Sequence, residues 1–255
     1  MATPATAVSG LIQNQTLAQL RKRVYLSRMP GYNLMRSETG KVLHPVASNA
    51  ARAKNFQKFV ELYFFNTHRP NNADPFHGDF GLNSKLTKGS RGYIEFEKFA
   101  MQDYGSYVIK TMIDDPKKYK GFQVWEGPPD VEGAHGDWSF ISLPKNFGTR
   151  KRFATSGQLI HLQAIIYHEF AHTMMFRKAQ SRGIDIGIND ERIAVLKFEN
   201  PVRIRDGFEP RYTYAMKDGS ATINIITGTS KPGKWYIRKN DPTVLVKETD
   251  PNALK

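Results

Sequence analysis

Apolar side chains recur at helical spacing in Phe56, Phe59, Val60, Tyr63 and Phe64. A 3.6-residue period puts them on one face, and Ser48 or Asn49 stands where an N-cap belongs. The pattern predicts a helix that stops before Pro70-Asn71-Asn72. An earlier helix is predicted over residues 11–28, ended by Met29-Pro30-Gly31. Residues 66–92 are rich in Asn, Gly, Ser and Lys and read as a long loop.

From residue 93 the texture changes. Residues 93–99 and 107–113 fit a strand or a helix, whereas 122–125 and 138–143 predict strands bounded by Gly-Pro-Pro and Pro144. A helix is then predicted from Ser156, a cap candidate, through Phe176 or beyond, and a second one from Asp190 to Phe198, closed by Pro201. Residues 212–246 alternate polar and apolar around Gly and Pro, which predicts small strands. The expected class is α+β, with an N-terminal helical region (1–92) packed on a domain formed by 93–255.

Chemistry is concentrated in one place. Ile165-Ile166-Tyr167-His168-Glu169-Phe170-Ala171-His172-Thr173-Met174 contains His-Glu-x-x-His inside the helical pattern. Residues four apart project from the same helix face, so both imidazoles can grip one metal ion. Glu169 lies about 100° round the helix from His168 and can reach a water beside the ion, the place for a general base. The flanks are apolar almost all round, which predicts a buried helix. Two histidines and a carboxylate on such a helix need a partner, and a divalent cation supplies one. The competing reading is a pair of packed histidines bonded to neighbours.

A catalytic zinc takes three protein ligands and keeps one position open. The chain has no cysteine, so the third ligand must be His, Asp or Glu. Glu191, in Asn189-Asp190-Glu191-Arg192, is the most natural donor; Glu199, two turns along, is the alternative and Glu209 the third choice. If Glu191 is the ligand, Glu199 is left to support a histidine ring or to hold Arg203 or Arg211. His44, His68, His77, His135 and His161 lack ligand spacing, and His161 is expected as a packed or supporting group.

Composition narrows the rest. The 255 residues make one large domain or two small ones, and 40% hydrophobic content with 16 Phe and 11 Tyr supports a packed core. No apolar run reaches the ~20 residues of a membrane span. Residues 1–10 carry neither a basic nor an apolar signal region, so no secretory signal is expected. Lys and Arg number 37 against 24 Asp and Glu, a net +13 that favours anionic partners. The basic clusters (Arg21-Lys22-Arg23, Arg150-Lys151-Arg152, and Lys231, Lys234, Arg238, Lys239) come without a nucleic-acid-binding signature, and a merely basic surface is the expectation.

His168-Glu169-Phe-Ala-His172 followed by Glu191 resembles the gluzincin type of zincin metallopeptidase, the thermolysin kind. More narrowly, Asp190-Glu191-Arg-Ile-Ala194-Val195, Phe198-Glu199-Asn200, Arg203, Gly207, Arg211-Tyr212 and Tyr214 are similar to effector domains at the C-termini of type VI secretion spike (VgrG) proteins. The likeness covers roughly residues 138–215. It implies a zincin-like domain with a small sheet and a zinc-dependent peptidase with one Zn2+ per chain. It also implies a toxin carried by a secretion spike without a signal peptide, acting on protein or peptide in the periplasm of a target bacterium. Such a toxin is neutralised by an immunity protein. In zincins the strand before the active helix is an edge that pairs with an extended substrate, so residues 138–143 read either as that edge or as an ordinary sheet strand. Thermolysin-type enzymes also use a downstream His on the oxyanion, but no His follows His172. Arg211, Tyr212 and Tyr214 are the remaining donors, with Tyr214 preferred. Two rival functions keep the same residues: a zinc-dependent amidase on cell-wall peptide bridges, and a basic nucleic-acid-binding or adaptor module with a structural His pair.

Overall fold

The computed structural model describes residues 47–64, 85–127, 135–136, 140–153, 155–180, 189–216, 219–238 and 241–247. The helix expected over 11–28, His44, His68 and His77 lie outside them. The described chain combines helices with small sheets, an α+β architecture. It forms two compact units, Pro30–Lys151 with Ile160–Asp190, and Arg152–Leu159 with the chain from Glu191 onward.

The first unit opens with helix α1 (Asn49–Tyr63), capped by Ser48, whose hydroxyl accepts from the Ala51 amide at 3.3 Å. Phe56, Phe59 and Tyr63 face the core, as their spacing predicts. Residues 93–99 and 107–113 are both helical, in α2 (Arg91–Met101) and α3 (Asp103–Asp114). Tyr93, Phe96, Phe99 and Ala100 form the buried stripe of α2, a period of 3.6 that short windows hid. The chain turns at extended Gln102, and the turn is tight: a Cβ on Gly105 would sit 1.8 Å from the Phe99 carbonyl oxygen. Arg52 of α1 locks the corner by bonding the Met101 carbonyl and, at 2.6 Å, the Asp103 carboxylate.

A mixed sheet follows, in the order β1-β3-β2. Strand β1 (Gln123–Gly127) runs parallel to β3 (Phe140–Pro144), and β2 (His135–Gly136) pairs antiparallel with Ser142 and Ile141 of β3. Of the two readings of this segment, edge or ordinary sheet strand, the described strands support the second, with β3 in the middle. Its Ile141 and Ser142 have neighbours on both sides, and the short β2 is the edge on that side.

Helix α4 (Leu162–Gln180) carries the His-Glu-x-x-His motif. It begins later than Ser156, because residues 155–158 turn back toward Phe153 instead. Gly157 takes a left-handed φ of +65°, and the Phe153 amide donates to the Gln158 carbonyl at 2.9 Å. Ser156 accepts from the Gln158 amide at 3.4 Å and caps no helix. Phe170 anchors α4 in the aromatic core, stacked on Phe99 with centroids 4.5 Å apart and edge-on to Phe96 at 5.8 Å.

In the second unit, α5 (Asn189–Ala194) continues through a π-helical turn (Val195–Glu199) into α6 (Asn200–Arg205). Pro201 was expected to end this helix and does not. It occupies the first turn of α6, after the ladder has shifted register so that the Asn200 amide bonds the Val195 carbonyl. The missing N–H of proline costs nothing at such a start. Strands β4 (Thr213–Ala215), β5 (Ala221–Asn224) and β6 (Ser230–Pro232) form an antiparallel sheet, and β7 (Tyr236–Arg238) pairs with β8 (Asp241–Val246). Val195, Ile223 and Ile225 close the core between the π-turn and β5.

Candidate metal centre

Helix α4 holds its two histidines one turn apart and nearly dry, His168 at 3% exposure and His172 at 4%. Their rings meet at 71°, and the two Nε2 atoms lie 3.0 Å apart. Two N–H groups cannot face each other at that separation, so at least one of these nitrogens presents a lone pair. The neighbouring residues fix the helix rotation. Tyr167 packs edge-on to Phe99 and stacks with Tyr104, while Gln163 donates to the Glu95 carboxylate at 2.6 Å and to its carbonyl at 2.8 Å. Burial, helped by neighbouring tyrosines, pushes the Tyr104 hydroxyl well above the ordinary phenol range. Tyr104 is therefore a neutral packing group.

Glu169 is buried on the same helix, and its carbonyl accepts from the Thr173 hydroxyl at 3.4 Å. Glu191 is half-buried in the first turns of α5. One ligand atom each from His168, His172 and Glu191 lie within 4.8 Å of one another. Among the described residues this is the group with metal-ligand geometry, and neither Glu199 nor Glu209 belongs to it.

The donor set fits a zinc-type ion. Ligand nitrogens about 2.0–2.1 Å from a tetrahedral ion stand about 3.3–3.4 Å apart. The 3.0 Å observed needs an opening of only a few tenths of an ångström. Two imidazoles and a carboxylate are also the chemistry such ions accept in open, water-accessible sites.

The other candidates have different work. Glu199 is fully buried, and its Oε2 accepts from Arg211 Nη1 at 3.0 Å. The Arg211 guanidinium lies 4.0 Å from the Phe153 ring and 4.5 Å from the Tyr214 ring, and its Nε donates to the Thr213 carbonyl at 3.0 Å. Arg211 is thus held between two aromatic faces and a carboxylate. Tyr214 sits on β4, half-buried, with one face on that guanidinium. Tyr212 is buried, and its amide donates to Gln158 Oε1 at 3.1 Å. Arg203, fully buried, donates to the carbonyls of Glu209 at 2.7 Å and Leu159 at 2.8 Å. His161 gives its carbonyl to the Ile165 amide at 3.1 Å at the start of α4, and His135 lies in β2.

Sequence reading missed the Gln163–Glu95 anchor. Glu95 is buried and bonded by Lys98 at 3.1 Å, although Glu97 and Lys98 follow closely in sequence. The available signal was its place inside the apolar stripe, between Tyr93 and Phe96. Comparison with family models, curated proteins and solved structures found no match, and the functional reading rests on the donor geometry and the motif.

Proposed function

We propose that the chain is a zinc-dependent metallopeptidase. The observation that carries this reading is the grouping of His168, His172 and Glu191 around one point, with Glu169 on the same buried helix. These three residues would hold the ion. Zinc, when bound, supplies positive charge that acidifies a water and polarises a carbonyl. Glu169 accepts a proton at its carboxylate as that water's oxygen attacks the scissile carbonyl carbon. It then delivers the proton to the amide nitrogen as the C–N bond breaks. Tyr214 is proposed as a donor to the developing oxyanion, the part that no downstream histidine can play.

The effector reading rests on the resemblance of residues 138–215. It makes the chain an antibacterial toxin domain delivered by a type VI secretion spike, acting in the periplasm and blocked by an immunity protein. An amidase acting on cell-wall peptide bridges would use the same residues.

The test is hydrolysis by the zinc-loaded protein of a mixed peptide library and of isolated cell-wall peptides, beside Glu169→Gln. The variant should keep its zinc and lose at least the ~10²-fold associated with general acid–base catalysis. Equal turnover by both proteins would refute the mechanism. Expression directed to the periplasm should be toxic where cytosolic expression is not, and equal toxicity would remove the periplasmic placement.

A further inference from the structure

We propose that Arg192 is a positioning residue, whose grip on the turn after β5 sets the rotation of α5 and so aims the neighbouring Glu191 carboxylate. This rests on the reading that Glu191 is a metal ligand. Helix α5 has six residues and runs on through the π-turn into α6, so the rotation of its first turns follows from what its side chains are fastened to. Two side chains fasten it. Val195 is fully buried against Ile223 and Ile225, and Arg192 donates from Nε to the Ile225 carbonyl at 3.1 Å and from Nη2 to the Ile226 carbonyl at 3.4 Å. Residues three apart share a helix face, so both fastenings act on one side. Glu191 is turned about 100° away from Arg192, and its direction follows once that side is fixed.

The turn is built to receive the guanidinium. Buried Asn224 accepts from the amides of Ile226 and Thr227 at 3.0 Å each, and its Nδ2 donates to the Pro242 carbonyl at 2.9 Å. The Gly228 amide closes the turn on the Asn224 carbonyl at 2.8 Å. With the amides bonded inside the turn, the carbonyls of Ile225 and Ile226 are left for Arg192. Gly228 has a left-handed φ of +76°, and a Cβ there would lie 3.2 Å from Arg192 Cζ. Glycine at this position therefore serves the turn and also leaves room for the guanidinium.

The experiment is a zinc titration of the full chain against a competing chelator, repeated with Co2+ to read the coordination spectrum. Arg192→Ala should stay folded and weaken zinc by the ~10–100-fold typical of lost supporting contacts, with an altered Co2+ spectrum. Arg192→Lys, which can still reach one carbonyl, should recover part of the loss. Gly228→Ala should shift affinity in the same direction as Arg192→Ala. In a Glu191→Ala background, Arg192→Ala should cost nothing further, because the residue it aims is gone. Wild-type affinity and spectrum in Arg192→Ala overturn the proposal, as do losses that simply add in the double variant. Wild-type affinity in Glu191→Ala overturns instead the ligand assignment beneath it.

Discussion

Glu199 and Arg211 form an ion pair, Oε2 to Nη1 at 3.0 Å, with the carboxylate fully buried. Two glutamates of one helical run thus stand in different company. Glu191 joins the histidines, and Glu199 neutralises an arginine clasped between Phe153 and Tyr214. Removing one partner of a buried pair leaves the other charge uncompensated, at about 3–5 kcal/mol. Glu199→Ala should therefore lower unfolding free energy by about that much in urea denaturation, with Glu199→Ala/Arg211→Ala less damaged than the sum of the single variants. Zinc affinity of folded Glu199→Ala should fall far less than that of Glu191→Ala; the reverse order would return the ligand role to Glu199.

Purified protein should carry about one zinc per chain, removable by strong chelators, since three protein ligands leave an open position. His168→Ala and His172→Ala should each lose most of it in elemental analysis. Full zinc in both variants would show that the helix pair is not the site.

Phe170 lies inside the motif but points into the core, stacked on Phe99 at 4.5 Å. Phe170→Ala should cost about 3–5 kcal/mol of stability, the usual penalty for a buried aromatic. It should also loosen zinc, because α4 loses its anchor beside both histidines. A stability change below 1 kcal/mol would place the ring outside the core.

Tyr214→Phe keeps the ring that covers Arg211 and removes only the hydroxyl. If that hydroxyl supports the oxyanion, kcat should fall by roughly 10²–10³ with KM and zinc content unchanged, the range measured for lost oxyanion donors. An unchanged kcat would reduce Tyr214 to the packing partner of Arg211.

Sequence alone determined the parts that depend on local spacing. Four residues make just over one helical turn, so His168 and His172 had to share a face wherever that helix formed. The apolar flanks required its burial, and Ser48 or Asn49 marked the start of α1, where Ser48 is the cap. Tertiary structure decided everything that joins distant segments. The competition among Glu191, Glu199 and Glu209 was open in sequence because each carboxylate is chemically equivalent. Packing separated them, through the buried Arg211 contact at one and the approach to the histidines at another. Pro201 ended a helix by local rules and continued one in the fold, because a π-turn moved the hydrogen bonds that proline cannot make. Strand β3 was open in sequence between an edge and an ordinary sheet strand, and among the described strands it is central, since pairing partners are chosen by the chain's return and not by the strand's own residues. Periodicity reports which face is buried, and only the folded chain reports against what.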